Sequence, residues 1–354
     1  MTELSVGTKK GLFVLEGEPG SDFAVMARAF AGEPVEYALR DPRSGRLFAS
    51  VTSAFYGPKI FYTDDPAGDW IQADGVGLPD GGDQALERIW ILTAGEEDGL
   101  LYAGGDPGVL FTSRDNGETW ELNQPLWRHR VEEDWQPGGG GLCLHSIVPW
   151  PGEPERLTVA VSAAGVWHTD DGGESWRRGN GGLVARYMPE EARETTNQLC
   201  VHSICRSAQR PERLFMQFHG GVYRSDDAGN SWVDVGGELP SDFGFPLAID
   251  PADADSAYVI PLGADSDRVT PGGRVRVFET RDGGATWSPR GDGLPQENAY
   301  LTILRQAFDS HGAGDELELY FGATSGEVFG SADAGATWST AALRLPPVFS
   351  VSAA

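Results

Sequence analysis

One short box recurs along the chain and fixes what the chain can fold into. It reads SRDNGETW (113–120), TDDGGESW (169–176), SDDAGNSW (225–232), TRDGGATW (280–287) and SADAGATW (331–338). A degenerate sixth copy, TDDPAGDW (63–70), keeps the Asp-to-Trp distance but has Ala67 where the Gly should be. The box aspartates Asp65, Asp115, Asp171, Asp227, Asp282 and Asp333 lie 50, 56, 56, 55 and 51 residues apart, a period that marks stacked or radial repeats. The chemistry is that of a tight turn: the Asp carboxylate accepts backbone N–H groups, the Gly takes positive φ, and the Trp anchors the outgoing strand on an apolar neighbour.

Short apolar runs precede each box. GVLF (108–111), GVW (165–167) and GVY (221–223) come just before it, and LLYA (100–103), LTVAV (157–161) and LFMQF (214–218) come before those. Further upstream lie 144–148 and 201–205, so with the strand after the Trp each unit holds four antiparallel strands, the content of a propeller blade. The N-terminal segment from Leu4 to Leu15 reads as the second and third strands of a blade that lacks its innermost strand. The C-terminal run from Pro347 to Val351 supplies it, which closes the ring by pairing its two ends and leaves no exposed edge. The expected fold is therefore all-β: a seven-bladed propeller of four-stranded blades in one domain, 1–354. Its blades fall at about 1–32 with 344–354, 33–75, 85–125, 141–180, 198–236, 243–290 and 298–343.

The boxes fit S/T-x-D-x-G-x-S/T-W almost completely in five copies. The chain thereby resembles the Asp-box (BNR) repeat proteins: sialidase-like glycoside hydrolases, sortilin-type receptor ectodomains and photosystem II assembly factors. That resemblance implies a propeller in which the box sits between the third and fourth strands, opposite the usual ligand face. The box residues are accordingly read as structural. Sialidases carry an arginine triad whose first member lies in an Arg-Ile-Pro-like motif near the N-terminus. Neither the Arg40 to Pro42 nor the Arg88 to Trp90 segment supplies it, so sialidase activity is not expected.

Composition excludes other partners. The 354 residues carry 27 Lys and Arg against 53 Asp and Glu, a net charge of -26, and this acidity repels nucleic acid and anionic membranes. The three cysteines, Cys143, Cys200 and Cys205, are too few and odd in number for a disulfide framework and fit a reducing compartment. If residues 4–15 are core strands there is no room for a cleaved leader, so a cytoplasmic location is expected.

Function should collect on the face that carries the loops leading into the innermost strands. Two such loops, 121–141 and 177–198, are long enough to be lids or disordered. They run into near-identical segments, LCLHSI (142–147) and LCVHSI (199–204), which place His145 and His202 in equivalent positions of adjacent blades; His219 lies at a turn of the latter blade. Val35 to Tyr37, Glu87 to Ile89, Phe245 to Leu247 and Tyr300 to Thr302 hold the corresponding places in other blades.

Three readings compete for the histidines. Each is a packed residue satisfied by a backbone carbonyl, or His145, His202 and His219 bind a divalent transition metal (Zn, Fe, Mn or Cu), or one of them works as an acid or base without metal. Cys143 and Cys200 are read as apolar packing. The leading expectation is an intracellular metal-assisted hydrolase or lyase acting on a small polar or anionic molecule. In it Arg128, Arg186 and Arg193 orient the substrate, while Tyr187, Glu190 or His129 moves a proton. A non-catalytic scaffold for a protein or peptide is the alternative. A third is a glycoside hydrolase pairing Glu132 or Glu133 with Glu190 or Glu191.

Overall fold

A computed structural model describes residues 1–79, 84–194 and 196–354. It contains seven four-stranded antiparallel sheets arranged as a closed propeller. The first blade joins the C-terminal strand Val348–Ala353 to the strands Thr2–Thr8, Gly11–Gly17 and Ala24–Ala29, so the two chain ends close the ring as the sequence suggested. The innermost strands of blades two to seven are Val35–Arg40, Arg88–Ala94, Leu144–Trp150, Val201–Arg206, Gly244–Asp250 and Phe308–His311.

Each box forms the turn between the third and fourth strands. In the third blade Asp115 accepts from the backbone N–H of Thr119 at 3.0 Å and from its hydroxyl at 2.6 Å, while the Ser113 hydroxyl donates to the same carboxylate. The Gly117 N–H closes the loop on Ser113 Oγ at 3.0 Å. Gly117 has φ 78°, and a Cβ there would lie 2.2 Å from the Phe48 ring of the preceding blade, so only glycine fits. The same bonds recur around Asp171, Asp227, Asp282 and Asp333. Asp65 keeps a single contact of this kind, from the Ala67 N–H.

The Trp anchors do not all act within one blade. The indoles of Trp120 and Trp338 donate to carbonyls of their own boxes, whereas Trp232 reaches back to Gly179 O at 2.8 Å and Trp287 to Val235 O at 2.7 Å. These last two tie neighbouring blades together at the box face.

The innermost strands share an irregularity that the sequence does not announce. Pairing runs Val35 with Val51 and then Tyr37 with Ser50, which leaves Glu36 unpaired in a bulge. The same step leaves Trp90, His145 and His202 unpaired in blades three, four and five. In blade six Phe245 and Pro246 together lie opposite one residue, Ile260, so one of them is extra, and in blade one Phe349 is. A bulge bends the strand and re-aims the extra side chain. The residue equivalent to His145 in blade three is therefore Trp90, one position beyond the stretch from Glu87 to Ile89 read from the sequence. Nor is the segment from Tyr300 to Thr302 a strand: blade seven's innermost strand starts at Phe308, and 291–307 forms a long connection over the channel mouth.

Candidate functional site

The loop 121–141 is partly helical. Asn123 caps the helix Gln124–Glu132, accepting from the Leu126 N–H, and Pro125 sits in its first turn. The helix leaves Arg128 exposed and stacks His129 on the Trp167 ring at 5.2 Å, with His129 Nδ1 3.5 Å from Glu133. Glu133 also pairs with Arg178. The second loop carries Arg186, which pairs with Asp234 and donates to Gly220 O, and Arg193, whose Nε donates to Met188 O at 3.1 Å. Glu190 and Glu191 are exposed. These arginines are spent on protein or turned to solvent.

Tyr187 is held more firmly. Its hydroxyl donates to Gln198 O and accepts from the Cys200 N–H, both at 2.7 Å, and its ring meets the His219 ring edge-on at 4.6 Å. Burial raises its pKa. The hydroxyl is thus a backbone brace that fixes the start of the strand bearing Cys200 and His202.

His145 and His202, although equivalent in the fold, differ in what their rings have left to offer. The Nε2 of His145 meets Val201 O at 2.9 Å and its Nδ1 meets Ser146 Oγ at 2.9 Å, so both nitrogens are satisfied within the protein. Burial, helped by the nearby Arg305 charge, pulls its pKa down to about 3. For His202 only Nδ1 has a backbone partner, Gly244 O at 2.5 Å. A carbonyl partner requires Nδ1–H, which leaves the Nε2 lone pair facing Cys200 Sγ at 3.5 Å. This carbonyl-braced tautomer is the arrangement usual for metal-ligating histidines.

The donor atoms of Cys200, His202 and His219 all lie within 4.8 Å of one another. The group therefore substitutes Cys200 for His145 in the expected trio of histidines. Burial keeps both imidazoles neutral and raises the Cys200 thiol, so a metal entering here would displace the thiol proton. Phe243 and Phe245 wall the cluster, their rings 5.4 and 4.9 Å from that of His202. Cys143 points elsewhere, with Sγ 3.5 Å from Asp106, and its thiol is pushed up to about 12 by burial and by that carboxylate.

Beneath the cluster runs the central channel. A cavity of about 210 Å³ is lined by side chains from every blade, among them Tyr37, Thr93, His145, Leu247, Asp309 and Val351. Arg305, from the connection into blade seven, overhangs it. This arginine and the aromatic residues Phe243 and Phe245 were not singled out from sequence. For Arg305 the signal was the spacing from Trp287 to Phe308, which exceeds what two short strands need.

The fold and its turns define the class: the chain is a seven-bladed β-propeller built on Asp-box repeats. Residues 111–122, the box of the third blade, match the BNR/Asp-box repeat. No curated protein matches the sequence.

Among solved structures the chain is similar to the GH74 enzyme of Niastella koreensis, with a TM-score of 0.64 and 14% identity over 96% of this chain and 54% of that one. It is similar to an ancestral GH74 enzyme at a TM-score of 0.56 and 16% identity, over 84% of this chain and 36% of that one. It is also similar to YCF48 bound to D1 peptide, at a TM-score of 0.51 and 12% identity over 90% and 84%. The chain thus spans about a third and about half of the two GH74 chains, and at these identities the likeness is one of fold. Among the described residues no helix is long and apolar enough to cross a membrane.

Proposed function

We propose that the protein holds a divalent transition metal on Cys200, His202 and His219 and uses it on a small polar molecule entering from the loop-rich face, as a hydrolase or lyase. The observation that carries this reading is the carbonyl-braced His202, whose Nε2 faces a thiol and a second imidazole with all three donor atoms within 4.8 Å. Two nitrogens and one sulfur suit Zn or Cu better than Mn. Three protein ligands leave a fourth position for water or substrate, where the metal acts as Lewis acid. A reducing, cytoplasmic setting accords with this, because all three cysteines are free and a thiol ligand must stay reduced.

Metal analysis of protein purified without a His tag tests the proposal. About one metal per chain is expected in the native protein, lost in Cys200→Ser and His219→Ala and retained in His145→Ala. Metal-free protein that also fails to take up Zn on dialysis would overturn it.

A second reading is a non-catalytic scaffold that binds a protein or peptide on the same face. It is favoured by the engagement of Tyr187, Arg186 and Arg193 with the protein itself, which leaves those candidates without a role in moving protons or binding substrate. The similarity to YCF48 bound to D1 peptide agrees with it. A Cys200→Ser variant that has lost its metal and still holds a protein or peptide partner would favour the scaffold.

A further inference from the structure

Among the described residues, Arg305 is a cation without a counter-charge. It projects from the connection over the channel mouth, where its guanidinium carbon lies 4.9 Å from the Phe245 ring centre and 5.8 Å from that of Trp90. Among the described residues its guanidinium makes no ion pair and no hydrogen bond, and its Nε is buried without a partner. The single carboxylate among the residues lining the cavity below, Asp309, is already engaged: its two oxygens accept from the backbone N–H groups of Ser310 and Ala353 at 2.9 and 3.0 Å. The other charged neighbour, Arg268, repels it. The surrounding thiols of Cys143 and Cys200 are held protonated by burial, and desolvation lowers the guanidinium's own pKa. Arg305 is half-buried, with Nε out of reach of water and no acceptor; an unmet buried donor is costly, and an anion at the cavity head would complete it.

The wall beside it points the same way. Trp90 Nε1 and Arg88 Nε are also buried without acceptors, and the Arg88 guanidinium lies 5.0 Å from the Trp90 ring centre. Arg88 has a partial counter-charge in Glu36 at 4.0 Å, but Arg305 has none among the described residues. Among the described residues this side of the channel holds three unmet buried donors and one cation, Arg305, with no opposite charge beside it.

The geometry points to a binding site for a small carboxylate at the head of the channel, with Arg305 as its anchor and Trp90 and Phe245 as its apolar sides. A monoanion is favoured over phosphate because one cation stands uncompensated while Asp309 lines the same cavity and Glu36 lies beside Arg88. The cavity, about 210 Å³, limits the guest to a small organic acid. The site needs no metal, so it stands or falls apart from the cluster of Cys200, His202 and His219.

Acetate is the probe, with acetamide as its neutral counterpart and inorganic phosphate as the dianionic one, on full-length protein treated with chelator. Saturation-transfer NMR is expected to show contact with the acetate methyl group, none with acetamide, and a loss of about tenfold or more in affinity in R305Q. R305Q without ligand is expected to melt at or above the temperature of the native protein, because it removes an uncompensated buried charge. Equal transfer from acetate in both proteins, or none in either, would overturn the site. So would R305Q that fails to fold or melts lower, since Arg305 would then serve structure. Phosphate stabilising the native protein more than acetate would overturn the choice of a monoanion.

Discussion

The side-chain amide of Gln306 donates to the backbone carbonyl of His145 at 2.9 Å, joining blades seven and four across the channel. It links residues 161 positions apart that no ladder pairs. In the sequence neither residue predicts the other, since the bond depends on the bulge that turns His145 and on the connection that lowers Gln306 into the channel. Gln306→Ala should cost about 1 kcal/mol, the usual net worth of such a bond. Urea unfolding measures it; an unchanged midpoint would show that the cross-channel bond carries no stability.

The box tryptophans should rank by what their indoles reach. Trp232 is buried and bonds to the preceding blade through Gly179, so Trp232→Ala should cost roughly 3–5 kcal/mol. Trp70, in the degenerate box, is only half-buried and its Nε1 has no partner among the described residues. Trp70→Ala should cost clearly less. Paired denaturation curves check the order, and a reversed ranking would refute the role given to the inter-blade bond.

Tyr187→Phe separates a brace from a proton carrier. Loss of the hydroxyl strips the Cys200 N–H and Gln198 O of their partner, so stability should fall by about 1–3 kcal/mol. Metal uptake should weaken along with it because Cys200 is no longer fixed. Calorimetric Zn titration of the variant tests this: unaltered affinity in a less stable protein would detach Tyr187 from the cluster.

Acid should destabilise the protein. Burial lowers His145 to about 3 and His168 to about 4, and sets His202 well below the ordinary 6.5. Each takes up a proton on unfolding, so its stabilising contribution is complete above about pH 6.5 and drains as the pH falls. Asp309 acts oppositely. Burial raises it from 3.8 to about 6, so its contribution is present at low pH and lost as pH rises through about 6. Between pH 6 and 5 three histidines outweigh one aspartate. Stability should drop on acidification, by about 1.4 kcal/mol per pH unit for each net proton. Unfolding curves at pH 5, 6 and 7 give the slope, and His168→Gln should remove one proton from it. Stability that climbs toward pH 5 would contradict the assignment.

Much of the framework could be read from residues alone because it rests on local chemistry. Asp115, Gly117 and Trp120 interact within one turn, and that turn recurs at intervals that count the blades. The closing strand was legible from what Leu4 to Leu15 lacked. The site was less so. A bulge changes the facing of every later residue in a strand, which is why the stretch from Glu87 to Ile89 missed Trp90. An apolar run such as Tyr300 to Thr302 looks like a strand whether or not it pairs. His145 and His202 share a sequence context and differ only through carbonyls supplied by other blades, Val201 O and Gly244 O. Pro125 after Asn123 did mark a helix start inside a segment read as loop.

Each bulge residue stands outside the hydrogen-bonded ladder of its own blade. Exchanging Glu36, Trp90, His202 or Phe349 therefore alters the rim of the channel without breaking a rung beside it. The propeller resembles a keyed lock whose pins are set one at a time in a barrel that does not change. New ligand preferences can arise in it by single substitutions that leave each blade's own ladder in place.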